Sequence, residues 1–292
     1  MLTQAQKVQI IDLVQAGTKK QEIAKFIGCD KGTITKQLLT RKRCMVIADL
    51  HCGHKTGLTP PDWQQPFSKL YPQQVEMWDW YEAKCKELKP DIVLMLGDIV
   101  DGKDSKSGAT EQITASFKEQ LEMARYCLIA TGTKNIVGVY GTGYHTSENG
   151  EDFEDFLGIK VGGHEFPMIH NIQLDLKHKI GSSSIPHGRF NALAKTKLWN
   201  EAWSNIGGQP SAQLIIRGHV HYYKQIRDNY FVGFTCPALC GWGSRYGVRQ
   251  CEGVVETGLV WFDVYEGTTI QNFQCRCDIP DLTSQKVEVY SL

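Results

Sequence analysis

Short apolar runs alternate with stretches of helical character between residues 44 and 222, and that alternation limits the fold more than any other feature. The runs read CMVIADL from Cys44, DIVLMLG from Asp91, NIVGVYG from Asn135 and AQLIIRG from Ala212. They are short and rich in aliphatic and β-branched residues, as buried strands are. Between them lie PQQVEMWDWYEAKCKEL, EQITASFKEQLEMARYCL and FNALAKTKLWNEAWSNI, each long enough for a helix. Strand–helix alternation predicts an α/β body with a buried, largely parallel sheet. Beyond residue 222 the helical stretches stop. YFVGFT, GVVETGLVWFDVYEG and TIQNFQCRC then read as antiparallel strands, a β-rich tail to the body.

The first forty residues follow a different pattern. TQAQKVQIIDLVQAG places Val8, Ile11 and Val14 on one helical face and stops at Gly17. KKQEIAKFIG groups Ile23, Phe26 and Ile27 and stops at Gly28. DKGTITKQLL begins with Asp30 as N-cap and buries Ile34 and Leu38. Residues 1–43 hold nine Lys or Arg against three Asp or Glu, a net +6, while the whole chain is neutral, so the rest carries −6. A basic module joined to an acidic body is the simplest reading. The tight turn around Gly28 and the small Ala24 resemble the helix-turn-helix of recombinases and transposases. That resemblance puts Lys31, Thr33, Lys36 and Gln37 on a DNA-facing side, with Arg41, Lys42 and Arg43 beside phosphates. Packing or dimerisation through a small helical bundle is the alternative.

Bulk properties exclude other classes. With 41% hydrophobic and 22% charged residues, the chain has the composition of a soluble globular protein. Its apolar runs are too short and too interrupted to span a bilayer. The N-terminal stretch lacks the basic start and long apolar core of a secretory signal. The ten cysteines form no dense framework and are expected to be reduced thiols in a cytoplasmic protein. Cys236 with Cys240, and the pair in CRC, lack the second well-spaced pair of a structural zinc site.

Each predicted strand is followed by residues that ligate metals. Asp49 and His51 follow the first, Asp98 and Asp101 the second, and His145 the third. His187 follows another expected strand, and GHVH supplies His219 and His221. Sites in α/β sheets form at the carboxyl ends of strands, so these groups can converge. Mixed carboxylate and imidazole donors suit Mn, Fe or Zn better than Ca.

These motifs, D-x-H, G-D-x-x-D, a G-x-x-H-like loop, a single His and G-H-x-H, in this order over residues 44–225, resemble the calcineurin-like metallophosphoesterases. The resemblance implies a β-sandwich flanked by helices in residues 44–292, preceded by the all-α helix-turn-helix module of residues 1–43. It implies two divalent ions, Mn first, with Fe, Zn, Ni or Co as alternatives. Asp49, His51 and His221 would hold one ion, His187 and His219 the other, and Asp98 would bridge. His54, His164, His170 and His178 fit no motif and are expected to be ordinary. The third motif departs from the family pattern, which has Asn followed by His. Thr142 stands at the Asn position and His145 comes two residues late, so Thr142 could touch metal or substrate. His145, oriented by Asp101, would then be the general acid, or else a ligand of the second ion.

The implied activity is phosphate-ester hydrolysis by a metal-activated water. Arg189 and Arg217 are candidate phosphate contacts, and Trp242 or Tyr246 could stack a base. The basic module favours a phosphodiesterase acting on DNA, a nuclease, as in a phage or mobile-element protein. A phosphatase on nucleotides or phosphoprotein is the alternative within enzymes. A DNA-binding regulator with a non-catalytic metal domain is the alternative outside them.

Overall fold

A computed structural model of the chain describes residues 2–103, 108–148, 151–244, 248 and 253–286. Three helices open it: α1 (Gln4–Gln15), α2 (Lys20–Ile27) and α3 (Lys31–Leu38). Thr3 and Gln6 form a reciprocal capping box on α1, Gly28 ends α2 with φ of 75°, and Asp30 caps α3 by accepting the Thr33 N–H. Their small core is Ile10, Ile23, Ala24, Ile27 and Ile34. Phe26, expected inside, is 69% exposed, and Ile10 rather than Val8 anchors α1.

The elements that follow are β1 (Lys42–Ile47), α4 (Tyr71–Leu88), β2 (Ile92–Met95), α5 (Phe117–Ala130) and β3 (Ile136–Val139). Next come the one-turn helix α6 (Gly143–Thr146) and the short strands β4 (Ser147–Glu148), β5 (Glu151–Asp152), β6 (Lys160–Gly162) and β7 (Met168–Ile169). The chain continues with β8 (Ile172–Lys177), α7 (Gly188–Asn205), β9 (Leu214–Arg217), β10 (Lys224–Arg227), β11 (Val232–Thr235), β12 (Leu259–Val264) and β13 (Cys275–Asp278). The larger sheet has the order β13-β12-β1-β2-β3-β6, and the second has β10-β11-β9-β8-β7. Strands β1, β2, β3 and β6 run parallel, as do β8, β9 and β11, whereas β12, β13, β10 and β7 are antiparallel to their neighbours.

Alternation along β1 explains the layering. Cys44 and Val46 face a core shared with Leu174, Leu176, Leu214, Ile216 and Phe234 of the second sheet. Met45 and Ile47 face the other way, onto Trp78, Tyr81 and Leu88 of α4 and Ala124 and Leu128 of α5. Helix α7 packs on the outer side of β9, β10 and β11. The result is a two-sheet sandwich with helices on both outer faces. Burial on both faces is why the central strands read as continuous apolar runs.

The helical module rests against the body. Lys7 Nζ pairs with Glu266 Oε2 at 2.6 Å, and Gln15 Nε2 donates to the Asn272 carbonyl at 2.9 Å. Gln37 Nε2 donates to the Glu266 carbonyl, and His170 Nε2 to the Thr40 carbonyl at 2.8 Å. Lys42 and Arg43 already belong to β1. Among the described residues, no helix is long and apolar enough to cross a membrane.

Candidate metal centre

Five strands deliver the site, three from one sheet and two from the other. Asp49 follows β1, Asp98 follows β2 and Thr142 follows β3, while His178 follows β8 and His219 follows β9. The carboxyl ends of both sheets therefore meet at one place. The chain turns sharply there. Among the described residues, eight non-glycine positions have positive φ, and five of them are Asp49, His51, Asp98, His219 and His221, with φ between 44° and 74°. Such backbone costs about 1–3 kcal/mol per residue and concentrates at functional sites.

Three groups of ligand-type atoms result among the described residues. Asp49, His51 and His221 form the first, Asp98, His178 and His219 the second, and His51, Asp101 and His145 a third that shares His51 with the first, each with its atoms within 4.8 Å of one another. In the first, His51 Nδ1–H donates to Asp101 Oδ1 at 3.1 Å, which leaves Nε2 bare. That nitrogen faces His221 Nε2 at 3.4 Å, so at most one proton can lie between the rings. His221 Nε2 also stands 3.2 Å from Asp49 Oδ1, yet that buried oxygen has no hydrogen bond. Asp49 Oδ2 accepts the His219 N–H at 3.0 Å. In the second group, His178 Nδ1–H donates to the Leu96 carbonyl at 2.6 Å. Its Nε2 faces Asp98 Oδ2 at 3.0 Å and Thr142 Oγ1 at 3.1 Å. Gly218 has no side chain because Asp49 Oδ2 and the Leu96 carbonyl would each lie 3.1 Å from its Cβ.

A divalent ion fits this donor set. Asp49 Oδ1 is buried and orphaned, His51 Nε2 is bare and turned inward, and outer partners fix the orientation of His51 and His178, as they do for metal-ligating histidines. The electrostatics agree. Burial alone would raise the Asp98 carboxyl, but the His178 hydrogen bond and charge hold it well below the usual range. Burial also opposes ionisation of Asp101, yet His145 and His51 hold that carboxyl low as well. Burial depresses His51 and His219, whereas Asp98 and Asp49 overcome burial at His178 and lift it to about 9.

His145 sits beside the first group. Its Nδ1–H donates to the Asp101 carbonyl at 2.9 Å, and its ring meets the His51 ring edge-on at 4.6 Å. Burial opposes a charge there, but the Asp101 hydrogen bond and the Asp98 charge raise His145 to about 9. Asp101 Oδ2 accepts from Gln112 Nε2 at 3.3 Å, so Asp101 serves both histidines on its Oδ1 side and is itself held.

Not every expected residue arrives. His187 is exposed at the N-cap of α7, and His178 occupies the place expected for it beside Asp98 and His219. The strand β8 ends at Lys177, ten residues before His187. Arg217 is 3% exposed and bound to Asp175, with NH2 to Oδ1 at 2.6 Å and NH1 to the carbonyl at 2.8 Å, so it cannot reach a phosphate. Arg189 stacks its guanidinium on Tyr222 at 4.3 Å. Trp242 is half-buried beside Gly241, whose N–H donates to the Thr56 carbonyl at 2.7 Å, in the loop that follows His51. Tyr246 lies outside the described residues.

In the helical module, Lys31 and Lys36 are exposed. Thr33 Oγ1 is engaged by Asp30 at 2.6 Å, and Gln37 is buried against the body rather than facing outward. Lys42 is exposed and Arg41 half-buried. Arg43 makes a two-pronged pair with Asp263, Nε to Oδ1 at 2.7 Å and NH2 to Oδ2 at 2.8 Å, which removes it from any phosphate contact.

Known proteins resemble the chain only distantly. No protein-family model and no curated protein matches it. Among solved structures, an archaeal phosphodiesterase is similar with a TM-score of 0.44 at 10% identity, over 82% of this chain and 99% of that one. Vps29 of Cryptosporidium parvum has a TM-score of 0.43 at 12% identity, over 77% and 86%. Vps29 of Entamoeba histolytica complexed with zinc has 0.38 at 16% identity, over 82% and 99%. Likenesses this distant leave the chemistry to be decided by the site.

Proposed function

We propose that the chain is a metal-dependent phosphoesterase with a dinuclear centre. The observation that carries this reading is the pair of adjacent carboxylate–imidazole groups gathered at strand ends, with left-handed turns after β1, β2 and β9. Asp49, His51 and His221 would hold one ion, and Asp98, His178 and His219 the other, with Asp98 shared and Thr142 beside the second. Mn is the first candidate, and Fe, Zn, Co and Ni share the donor preference. Bound ions would supply positive charge to a phosphoryl group and acidify water.

The chain's own residues do the remaining work. Without bound ions, Asp101 and Asp98 raise His145 to about 9, which favours its protonated form. With Nδ1–H tied to the Asp101 carbonyl, its Nε2–H is the proton available to a leaving oxygen. We favour the general-acid role, because Asp101 already holds Nδ1–H and turns Nε2 outward; ligation with His51 and Asp101 is the alternative. Asp101 orients both His145 and His51.

For the substrate we favour a phosphodiester of DNA, approached through the exposed Lys31, Lys36 and Lys42 of the basic N-terminal segment. The test is hydrolysis of bis-p-nitrophenyl phosphate with Mn, Zn, Co or Ni, followed by single-stranded DNA, double-stranded DNA and mononucleotides. Metal-dependent turnover that is lost in Asp98→Asn is expected. Bound metal without turnover on any of these esters would overturn the enzyme reading and leave a DNA-binding regulator. Turnover confined to monoesters would leave a phosphatase.

A further inference from the structure

Residues 140–147 carry Thr142 and His145, yet a helix as short as α6 cannot hold itself. What holds it comes from residues 152–155. Tyr140 Oη donates to Asp155 Oδ1 at 2.8 Å, and Ser147 Oγ donates to Asp152 Oδ1. Between these ties lies Glu154, which is fully buried. Its Oε1 accepts the Gly141 N–H at 3.0 Å. Buried Thr146 touches the same carboxyl group, although its hydroxyl bond goes to the Thr142 carbonyl at 3.4 Å. Glu154 Oε2 is buried with no hydrogen bond.

We propose that Glu154 is a positioning residue: its buried carboxyl sets where the Thr142–His145 turn stands against Asp98 and Asp101. The linkage is short and stiff. A Cβ on Gly141 would lie 2.2 Å from Asp98 N, so the loop already touches the Asp98 backbone. The Thr142 N–H donates to Asp98 Oδ1, and Thr142 Oγ1 to Oδ2 at 3.2 Å. The Thr142 carbonyl accepts the His145 N–H at 2.8 Å, and His145 Nδ1–H then reaches the Asp101 carbonyl. Releasing Gly141 therefore moves Thr142 off Asp98 and His145 off Asp101. Burying a carboxyl group with one firm partner is costly, and burial pushes Glu154 up to about 7. An apolar side chain would fill the space at lower cost but could not hold Gly141.

The rate consequence rests on the phosphoesterase reading, whereas the placement does not. In the full chain labelled with ¹⁵N-histidine and free of metal, the His145 ring gives one sharp signal in the wild type and in Glu154→Gln, which keeps an acceptor for Gly141. In Glu154→Leu that signal shifts and broadens while exposed His187 is unchanged. With metal added, Glu154→Leu lowers kcat on a poor-leaving-group diester by about 10²-fold, as a misplacement near 1 Å does, with KM little altered. A folded Glu154→Leu with the wild-type His145 signal overturns the proposal. Should that variant not fold, hydrogen exchange of the wild-type Gly141 amide decides. Slow exchange supports the bond, and exchange as fast as in an open loop overturns it. If the wild type hydrolyses nothing, the enzyme reading falls and the ring signal still judges Glu154.

Discussion

His178 Nε2 stands 3.0 Å from Asp98 Oδ2 while its Nδ1–H is taken by the Leu96 carbonyl at 2.6 Å. The ring can be displaced from neither side without breaking a bond, and an ion at the second group would take the place of the proton that Nε2 shares with Asp98. If the proposed dinuclear centre forms, His178→Ala should therefore lose one of its two ions, or weaken its binding by at least about tenfold. His187→Ala, exposed at the start of α7, should keep both. Elemental analysis after dialysis distinguishes them. Full occupancy in His178→Ala would remove it from the ligand set.

The Nδ1–H of His145 is committed to the Asp101 carbonyl, so only Nε2–H can serve a leaving group. His145→Ala should slow esters with poor leaving groups by about 10²–10⁴-fold and activated esters far less. Leaving-group dependence of kcat measures this directly. Equal losses on both kinds of ester, with one ion missing, would instead make His145 a ligand.

Much of this centre is legible in the sequence because strand ends and ligand types coincide in order. Asp49, His51, Asp98, His219 and His221 each stand within a few residues of an apolar run, and the structure brings them together. His178 carries a signal too. Ile172, Leu174 and Leu176 are buried alternate residues of β8, and His178 is the next position on the same face. His187 stands out in the sequence instead because Pro186 and Gly188 surround it like a loop motif. Glu154 has no sequence signal, since an acid in EDFEDF reads as a solvated face. Its burial depends on where the turn Phe153–Leu157 packs, a tertiary outcome. Arg217, Arg43 and Gln37 depart from expectation for one reason: a polar side chain near a motif looks available until its partner, distant in sequence, is known.

Stability and metal uptake should depend on pH with a definite sign. His178 and His145 are raised to about 9 in the folded chain, against about 6.5 when unfolded. Their stabilisation is complete below about pH 6.5 and lost as pH rises toward 9. Asp98 and Asp101 are held low, so their contribution is present above about pH 3.9 and lost on acidification. Buried His51, depressed by burial, adds to the loss on the acid side. The metal-free protein should thus melt at its highest temperature between about pH 5 and 6.5. Binding of a divalent ion at pH 7 should release protons, because His178 must be bare to ligate. Calorimetry in buffers of different ionisation enthalpy reads that release, and a proton count of zero would exclude His178 as a ligand.

Two groups of basic residues in the N-terminal segment should behave in opposite ways. Arg43 pairs through two bonds with Asp263 and lies 4.8 Å over the Trp261 ring, which ties β1 to β12. Arg43→Ala should cost about 1.5–3 kcal/mol of stability, typical of charge-assisted hydrogen bonds, and leave DNA affinity unchanged at temperatures where it is folded. Lys31 and Lys36 are exposed on α3, which buries Ile34 and Gln37 instead. Replacing both by Ala should leave the melting temperature within a degree or two of wild type, as surface changes do. It should weaken DNA binding and reduce the slope of log affinity against log salt by about 0.9 for each phosphate left unneutralised. Fluorescence anisotropy over a salt series gives the slope. An unchanged slope in the double variant would mean that the helical module only packs against the body, and that DNA, if cut at all, is held elsewhere.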